Sequence, residues 1–284
     1  MNIKQNSIHK ISVVGRGVGL FLILCALCTS LEAGEAQDLP KSFGGSVANV
    51  RLIAATALTN GTYRTGIVIA MASGSHTYWK QPGDAGVPPV FAFNTSTNVA
   101  KADVLFPAPT RITEDGLDAF GYTDRVVFPV IVTPADAAKP SHLHVDLNYA
   151  VCSKICVPVH STADVTLPAK GDEDEAVNAA FASVPQPLPP EKAGDLSVSP
   201  VPGAKNPTWT LSWTGAPPIV DVFAEAPEGY AFDTKPGARL GIWTLVASQV
   251  APAPTPKTVS VALTLAARPQ SLVTTLQLDI SKAP

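Results

Sequence analysis

The sequence predicts an all-β protein built as two strand-rich blocks joined by one short helix. Three observations predict it. Apolar runs of four to nine residues, rich in β-branched side chains, recur along the chain, which is a strand signal. The 27 prolines and 20 glycines punctuate those runs. Charged residues make up only 15% of the chain, against about 25% in typical soluble proteins, and few stretches have helical amphipathicity.

Residues 1–36 read as an export leader. Lys4, Lys10 and Arg16 precede an apolar run from Gly17 to Leu31, and small residues follow at Ala33, Gly34 and Ala36. That order describes a secretory signal peptide, with cleavage expected after Ala33 or Ala36. The run is shorter than the roughly 20 residues that span a bilayer, and no second apolar span follows, so no stable membrane insertion is expected after cleavage. Loss of three basic and two acidic leader residues takes the net charge from −3 to −4. Basic patches are absent, which argues against nucleic acid as a partner.

In the first block (residues 37–170), Val50–Leu58, Gly66–Met71, Val126–Val132, Leu143–Val151 and Val157–Leu167 are the expected strands. Leu143, Val145, Leu147 and Tyr149 alternate with His144, Asp146 and Asn148, the pattern of an antiparallel strand with one face on a core and one in water. Gln81 to Pro89 reads as a Pro- and Gly-rich connection. Asp172 to Val184 is the helix candidate: Asp172, Glu173, Asp174 and Glu175 suit the positive end of the helix dipole, and Pro185 stops it. Four prolines between Pro185 and Pro190 make a stiff linker, so 171–194 separates the blocks. The second block, 195–284, has expected strands at Thr208–Trp213, Ile219–Ala226, Ile242–Val250, Thr258–Ala266 and Ser271–Ile280. Short strands at near-regular spacing suggest a second small sandwich. It holds no cysteine and no histidine or acidic cluster, and its role is left open.

Chemistry concentrates at Tyr149-Ala150-Val151-Cys152-Ser153-Lys154-Ile155-Cys156-Val157-Pro158. Cys25 and Cys28 fall in the leader, so Cys152 and Cys156 are the two thiols expected in the mature chain. Cys152 ends one expected strand and Cys156 nearly begins the next, a three-residue hairpin connection. Residues opposed across such strands lie about 4.5–5.5 Å apart at Cα, within disulfide reach. Closing a five-residue loop gives only roughly 2 kcal/mol, against about 4.7 kcal/mol for 100 residues. Stapling is therefore a weak reason for the pair. Exchange is a stronger one, because the two sulfurs can form and then resolve a mixed disulfide, and Lys154 between them favours a thiolate.

Two other readings stay open at this point. The pair can be an inert bridge in an adhesion or scaffold module. Alternatively, thiolates with imidazole suit Cu(I); His142 and His144 lie on the solvated strand face too far from the hairpin tip, which leaves His160 as the auxiliary ligand of a copper-binding alternative. The sequence shows no Gly-x-Ser-x-Gly, His-Glu-x-x-His, phosphate loop or Cys-x-x-Cys, and no cofactor is expected. The Asn-x-Ser/Thr sites at Asn60 and Asn94 carry little weight.

Residues 40 to 168 resemble the amino-terminal periplasmic domain of DsbD/ScsB-type thiol:disulfide interchange proteins. Four stretches carry the resemblance: His76 to Pro89, Asp103-Val104-Leu105-Phe106-Pro107, Phe120-Gly121-Tyr122 with Val126 to Val130, and Tyr149 to Pro158. The resemblance implies an immunoglobulin-like β-sandwich in the periplasm with its redox pair at an exposed edge. It implies electron transfer from a thioredoxin-like domain or membrane thiol reductase to periplasmic partners. By the same resemblance, Cys156 forms the mixed disulfide and Cys152 resolves it. A cap loop with an aromatic residue shields the pair in the family. The matching region is Thr113 to Tyr122, with Phe120 or Tyr122 as the candidates and Leu117 a third, unless both aromatics belong to the core. The membrane and thioredoxin-like domains of family reductases have no counterpart in this sequence, and DsbD spaces its cysteines more widely. The chain is expected to act as a stand-alone soluble carrier that borrows its reductant.

Overall fold

The computed structural model describes residues 47–114, 116–171, 173–249 and 257–280. The leader, Cys25, Cys28 and the cleavage positions at Ala33 and Ala36 lie outside the described residues. The fold is an all-β, immunoglobulin-like one. Its first ten strands are β1 (Ala48–Thr59), β2 (Thr62–Met71), β3 (His76–Gly83), β4 (Val90–Ala92), β5 (Val99–Val104), β6 (Thr110–Glu114), β7 (Leu117–Thr123), β8 (Arg125–Pro134), β9 (Ser141–Cys152) and β10 (Cys156–Leu167). They form one sheet in the order β1-β2-β8-β5 and a second in the order β10-β9-β3-β7-β6, with β4 added on β9.

The core between those sheets follows from alternation. Leu143, Val145, Leu147, Tyr149 and Val151 of β9 face inward with Ile67 and Ile69 of β2 and Phe128, Val130 and Val132 of β8. On β10 the outward positions, from Cys156 through Pro158 and His160 to Thr166, are all exposed, as an edge strand with one solvated face requires.

Helix α1 (Asp174–Ala182) covers the outer face of the first sheet, where Val177 is buried against Ile53 and Val68. Its acidic first turn also reaches sideways. The Asp174 carboxylate accepts hydrogen bonds from the Thr56 backbone N–H at 2.8 Å and hydroxyl at 2.9 Å, and Glu173 pairs with Arg51. At the other end Arg64 lies 3.9 Å above the Phe181 ring and donates to Asn178.

Eight further strands follow: β11 (Gln186–Pro187), β12 (Leu196–Pro200), β13 (Thr208–Trp213), β14 (Ile219–Glu225), β15 (Tyr230–Pro236), β16 (Ile242–Gln249), β17 (Thr258–Ala267) and β18 (Leu272–Asp279). Their sheets run β11-β18-β17-β14 and β12-β13-β16-β15. Trp209, Leu211, Leu245, Val261 and Leu263 centre a second core between them. The two blocks are not strung apart: Phe223 and Ala266 of the later strands belong to the first core.

Arg111 on β6 is the polar counterpart of that junction. Its guanidinium donates to Asp221 at 2.9 and 3.0 Å, to Asp118 at 2.7 Å and to Thr234 at 3.2 Å. Partial burial pulls the Asp118 carboxyl up, but hydrogen bonds from Thr113 and Arg111 outweigh it and hold the group below its ordinary 3.8. A depressed folded value stabilises the fold fully above the unfolded pKa and is lost as pH falls through the folded one. Unfolding in urea at stepwise lower pH is therefore expected to show this contribution intact above 3.8 and fading below it. Asp118→Asn would remove that part of the pH dependence.

Candidate redox site

The β9–β10 ladder sets Cys152 opposite Cys156, and the register runs without a shift down to Ser141 and Leu167. Two residues opposed in that way bring their sulfurs together on one face of the sheet. Cys152 and Cys156 form a disulfide with Cα atoms 4.0 Å apart, closer than the sequence-based expectation. Ser153, Lys154 and Ile155 make the turn, closed by a 3.2 Å bond from Ser153 N–H to the Ile155 carbonyl. Lys154 is exposed in that turn, between the cysteines as its sequence position requires.

The sulfurs differ in access. Cys152 is 1% exposed, whereas Cys156 is an exposed residue on the edge strand. Along β9 burial alternates up to Asn148 and then becomes continuous from Tyr149 to Cys152. Something must cover the outer face there, and that cover is Tyr78. It is 3% exposed and clusters with Ala119, Ala150 and Cys152. Its hydroxyl stands 2.9 Å from the Cys152 sulfur and 3.4 Å from that of Cys156. A disulfide sulfur carries no hydrogen, so the phenol donates.

Strand β3 brings Tyr78 there. Its backbone pairing to β9 is the single pair His76↔Cys152, and the Thr77 hydroxyl extends the contact by donating to the Ala150 carbonyl at 2.8 Å. His76, two residues from Tyr78 and on the same face, is 2% exposed and lies edge-on to the Tyr78 ring at 5.3 Å. Gly86 closes over the phenol: a Cβ there would stand 2.6 Å from the Tyr78 ring. Beyond it, Val87, Pro88 and Val90 line a cleft of about 480 Å³ whose other wall includes Ala150, Cys156 and Pro158.

Phe120 and Tyr122 occupy the core position that the sequence left open. Phe120 packs on Phe223 with ring centroids 5.0 Å apart, and Tyr122 packs on Phe128 while donating to the Pro107 carbonyl at 2.8 Å. Burial, with a smaller push from Glu225, raises the Tyr122 phenol well above its ordinary range. Leu117 is 49% exposed at the β6–β7 turn. None of the three lines the cleft beside Cys156; the cover over the pair comes instead from Tyr78 and the segment after β3.

The histidines are paired with carboxylates along the hairpin. His142 and His144 both reach Asp164, at 3.2 and 2.7 Å, and His160 reaches Asp146 at 3.1 Å. His160 lies two pleats from Cys156 on the same strand, about 13 Å at the usual rise. It cannot share a metal with the cysteines without a change in the hairpin, which removes the auxiliary ligand of the copper alternative. Among the described residues no group of three or more His, Cys, Asp or Glu is placed to hold a metal ion.

Residues 48–168 match the family described as "Thiol:disulfide interchange protein DsbD, N-terminal". These residues are a DsbD-type N-terminal domain. The crystal structure of the N-terminal periplasmic domain of ScsB from Proteus mirabilis superposes with a TM-score of 0.62 at 20% identity, over 82% of this chain and 92% of that one. That likeness is one of fold, and its span takes in strands beyond the DsbD-type domain. The titin Ig tandem domains A164-A165 align over 82% of this chain and 98% of that one, but at 8% identity and a TM-score of 0.19 they carry no argument. Comparison with curated proteins finds no match. The chain thus has the disulfide and the domain type of thiol:disulfide exchange.

Tyr78 and the 84–90 segment were not identified from sequence as parts of the site. Gln81 to Pro89 reads as a connection although β3 runs on to Gly83, so β3 and the direction of its side chains stayed hidden. The available signal was the alternation of His76, Tyr78 and Lys80 ahead of Pro82. Among the described residues no helix is long and apolar enough to cross a membrane.

Proposed function

We propose that the chain is a periplasmic carrier of electrons, passing a dithiol equivalent between thioredoxin-like partners through Cys152 and Cys156. The observation that carries this reading is the asymmetry of the pair: one exposed sulfur, one buried sulfur, and a phenol donating to the buried one.

A partner thiolate attacks the Cys156 sulfur. The Cys152–Cys156 bond breaks as the new bond forms, and its electron pair leaves on Cys152 as a thiolate. The Tyr78 hydroxyl, already 2.9 Å away, stabilises that charge. The partner's second thiolate then attacks its own sulfur in the mixed disulfide and releases Cys156. Two electrons have moved, the partner is oxidised and the chain holds two thiols. In the onward step the Cys156 thiolate attacks a target disulfide, and Cys152 resolves the mixed species. A good leaving thiolate speeds exchange, so the site needs its donor on Cys152 rather than on the attacked atom. The mostly apolar cleft beside Cys156, with Val87, Pro88, Val90 and Pro158 in its lining and His160 as its one ionisable side chain besides Tyr149 and Cys156, supports docking of an apolar partner surface.

Mixing the oxidised chain with a reduced thioredoxin-like domain, and following free thiols on each protein after separation, tests the reading. Two thiols are expected to appear on this chain as two vanish from the partner; no transfer would overturn it. Tyr78→Phe, which keeps the ring and removes the donor, is expected to slow reduction by a dithiol at least about tenfold, since a hydrogen bond to a charged group contributes about 1.5–3 kcal/mol and about 1.4 kcal/mol is a factor of ten in rate. Stopped-flow reduction at fixed pH measures it, and an unchanged rate would remove Tyr78 from the mechanism.

A further inference from the structure

From Val222 to Ala224, strand β14 is buried on both faces. Val222 and Ala224 point into the second core, while Asp221, Phe223 and Glu225 point the other way. Those three meet the DsbD-type domain one after another. Asp221 takes the bidentate bond from Arg111. Phe223, 0% exposed, lies edge-on to Trp79 at 6.1 Å and to Phe120 at 5.0 Å. Glu225 pairs with Lys80 at 2.7 Å. Trp79 and Lys80 are the two residues that follow Tyr78, on a strand whose backbone ladder to β9 is a single pair. On its other edge β3 pairs with β7 at His76, Thr77 and Tyr78, but that register breaks between Tyr78 and Gly83, and in this stretch the later strands hold Trp79 and Lys80.

We propose that residues 196–280 position the redox site: β14 clamps β3 through Trp79 and Lys80 and so keeps the Tyr78 phenol on the sulfurs, with Phe223 as the positioning residue. This rests on the reading of Cys152 as the leaving sulfur and of Tyr78 as its donor. It gives the second block a purpose within the same chemistry. The junction is suited to it: edge-to-face ring pairs add about 0.5–1.5 kcal/mol each beyond burial, and a paired Arg–carboxylate fork fixes orientation. An exposed Cys156 is already open to attack, so a loosened β3 slows reduction through the leaving group rather than speeding it through access.

The test is a double-mutant cycle on the rate of reduction of the full chain by dithiothreitol, with no protein partner present. Phe223→Ala is expected to slow reduction about three- to tenfold, within the coupling seen for contacting residues, and to raise the pKa of the Cys152 thiol in the reduced protein. In a Tyr78→Phe background the same change is expected to have no further effect. Leu245→Ala, a cavity in the second core on β16, in the sheet that does not contain β14, is expected to lower stability and leave the rate alone. If Phe223→Ala does not fold, Glu225→Gln, which keeps shape and releases Lys80, serves in its place with the same expected sign. Equal slowing with and without the Tyr78 hydroxyl, an effect of Leu245→Ala as large as that of Phe223→Ala, or an unchanged rate in the junction variants would each overturn the proposal. Because the assay uses a small dithiol, a chain that failed to exchange with protein partners would still report on positioning.

Discussion

Cys152→Ser is expected to trap a covalent complex with a thioredoxin-like partner, and Cys156→Ser is expected to trap none. The prediction follows from access alone. Cys156 is exposed on the edge strand beside the cleft, whereas Cys152 is 1% exposed beneath Tyr78. A mixed disulfide at Cys156 persists when the resolving sulfur is gone. With only Cys152 present, the remaining thiol sits buried under the Tyr78 phenol, which Gly86 in turn covers, where an incoming protein sulfur cannot approach in line. Each variant would be mixed with a partner activated as a mixed-disulfide donor and run on a non-reducing gel. At least a hundredfold difference in complex is expected, on the order of the 10²-fold penalty for misplacing reacting groups. Equal trapping by both variants, or trapping through Cys152 alone, would reverse the assigned roles.

Gly121→Ala is expected to be the most damaging single methyl in the DsbD-type domain. Gly121 pairs with Tyr78 across β3 and β7. A Cβ there would stand 2.0 Å from the Thr77 carbonyl oxygen, 3.0 Å from the Thr77 carbonyl carbon and 3.2 Å from the Tyr78 Cα. Its neighbours are backbone, so no side chain can swing away, and β7 must part from β3. Overpacking typically costs about 1–3 kcal/mol, occasionally more, and a backbone obstacle belongs at the upper end, about 3 kcal/mol. Urea unfolding would show it as a lower midpoint. Because the parting moves the strand that carries Tyr78, dithiol reduction should slow as well. Wild-type stability in Gly121→Ala would mean that β3 and β7 are less tightly joined than their register states.

Much of the fold was legible because its long strands alternate. β9 and β10 follow the pattern of Leu143 to Tyr149 and Val157 to Leu167, and that pattern alone sets the hairpin whose tip is the disulfide. The shorter strands β5, β6 and β7 were not legible. Lys101, Arg111, Glu114 and Asp118 interrupt any apolar run, and Gly116 and Gly121 read as breaks. Gly121 is a glycine of close approach inside a strand. The helix spans Asp174–Ala182, within the expected range, yet Glu173 and Asp174 bind Arg51 and Thr56 as well as suiting the dipole. Sequence spacing cannot show such partners, which lie more than a hundred residues away.

The candidate site divides in the same way. Both cysteines and their opposition came from local spacing. Tyr78 did not, because a buried tyrosine on a short strand carries no mark of what its hydroxyl meets. Phe223 was missed for a related reason. Ile219–Ala226 was expected as a strand, with nothing read about what its Asp221, Phe223 and Glu225 face meets, and the large aromatic between two acids was the one sign that this face is covered.

Equilibration of the Cys152–Cys156 pair with a reference dithiol, to give its reduction potential, bears most directly on the account. An exchanging pair with an exposed sulfur and a stabilised leaving thiolate is expected between about −270 and −120 mV, the range of exchange-active dithiols. A potential below about −300 mV would mark the disulfide as a structural bridge, and the carrier reading would be wrong.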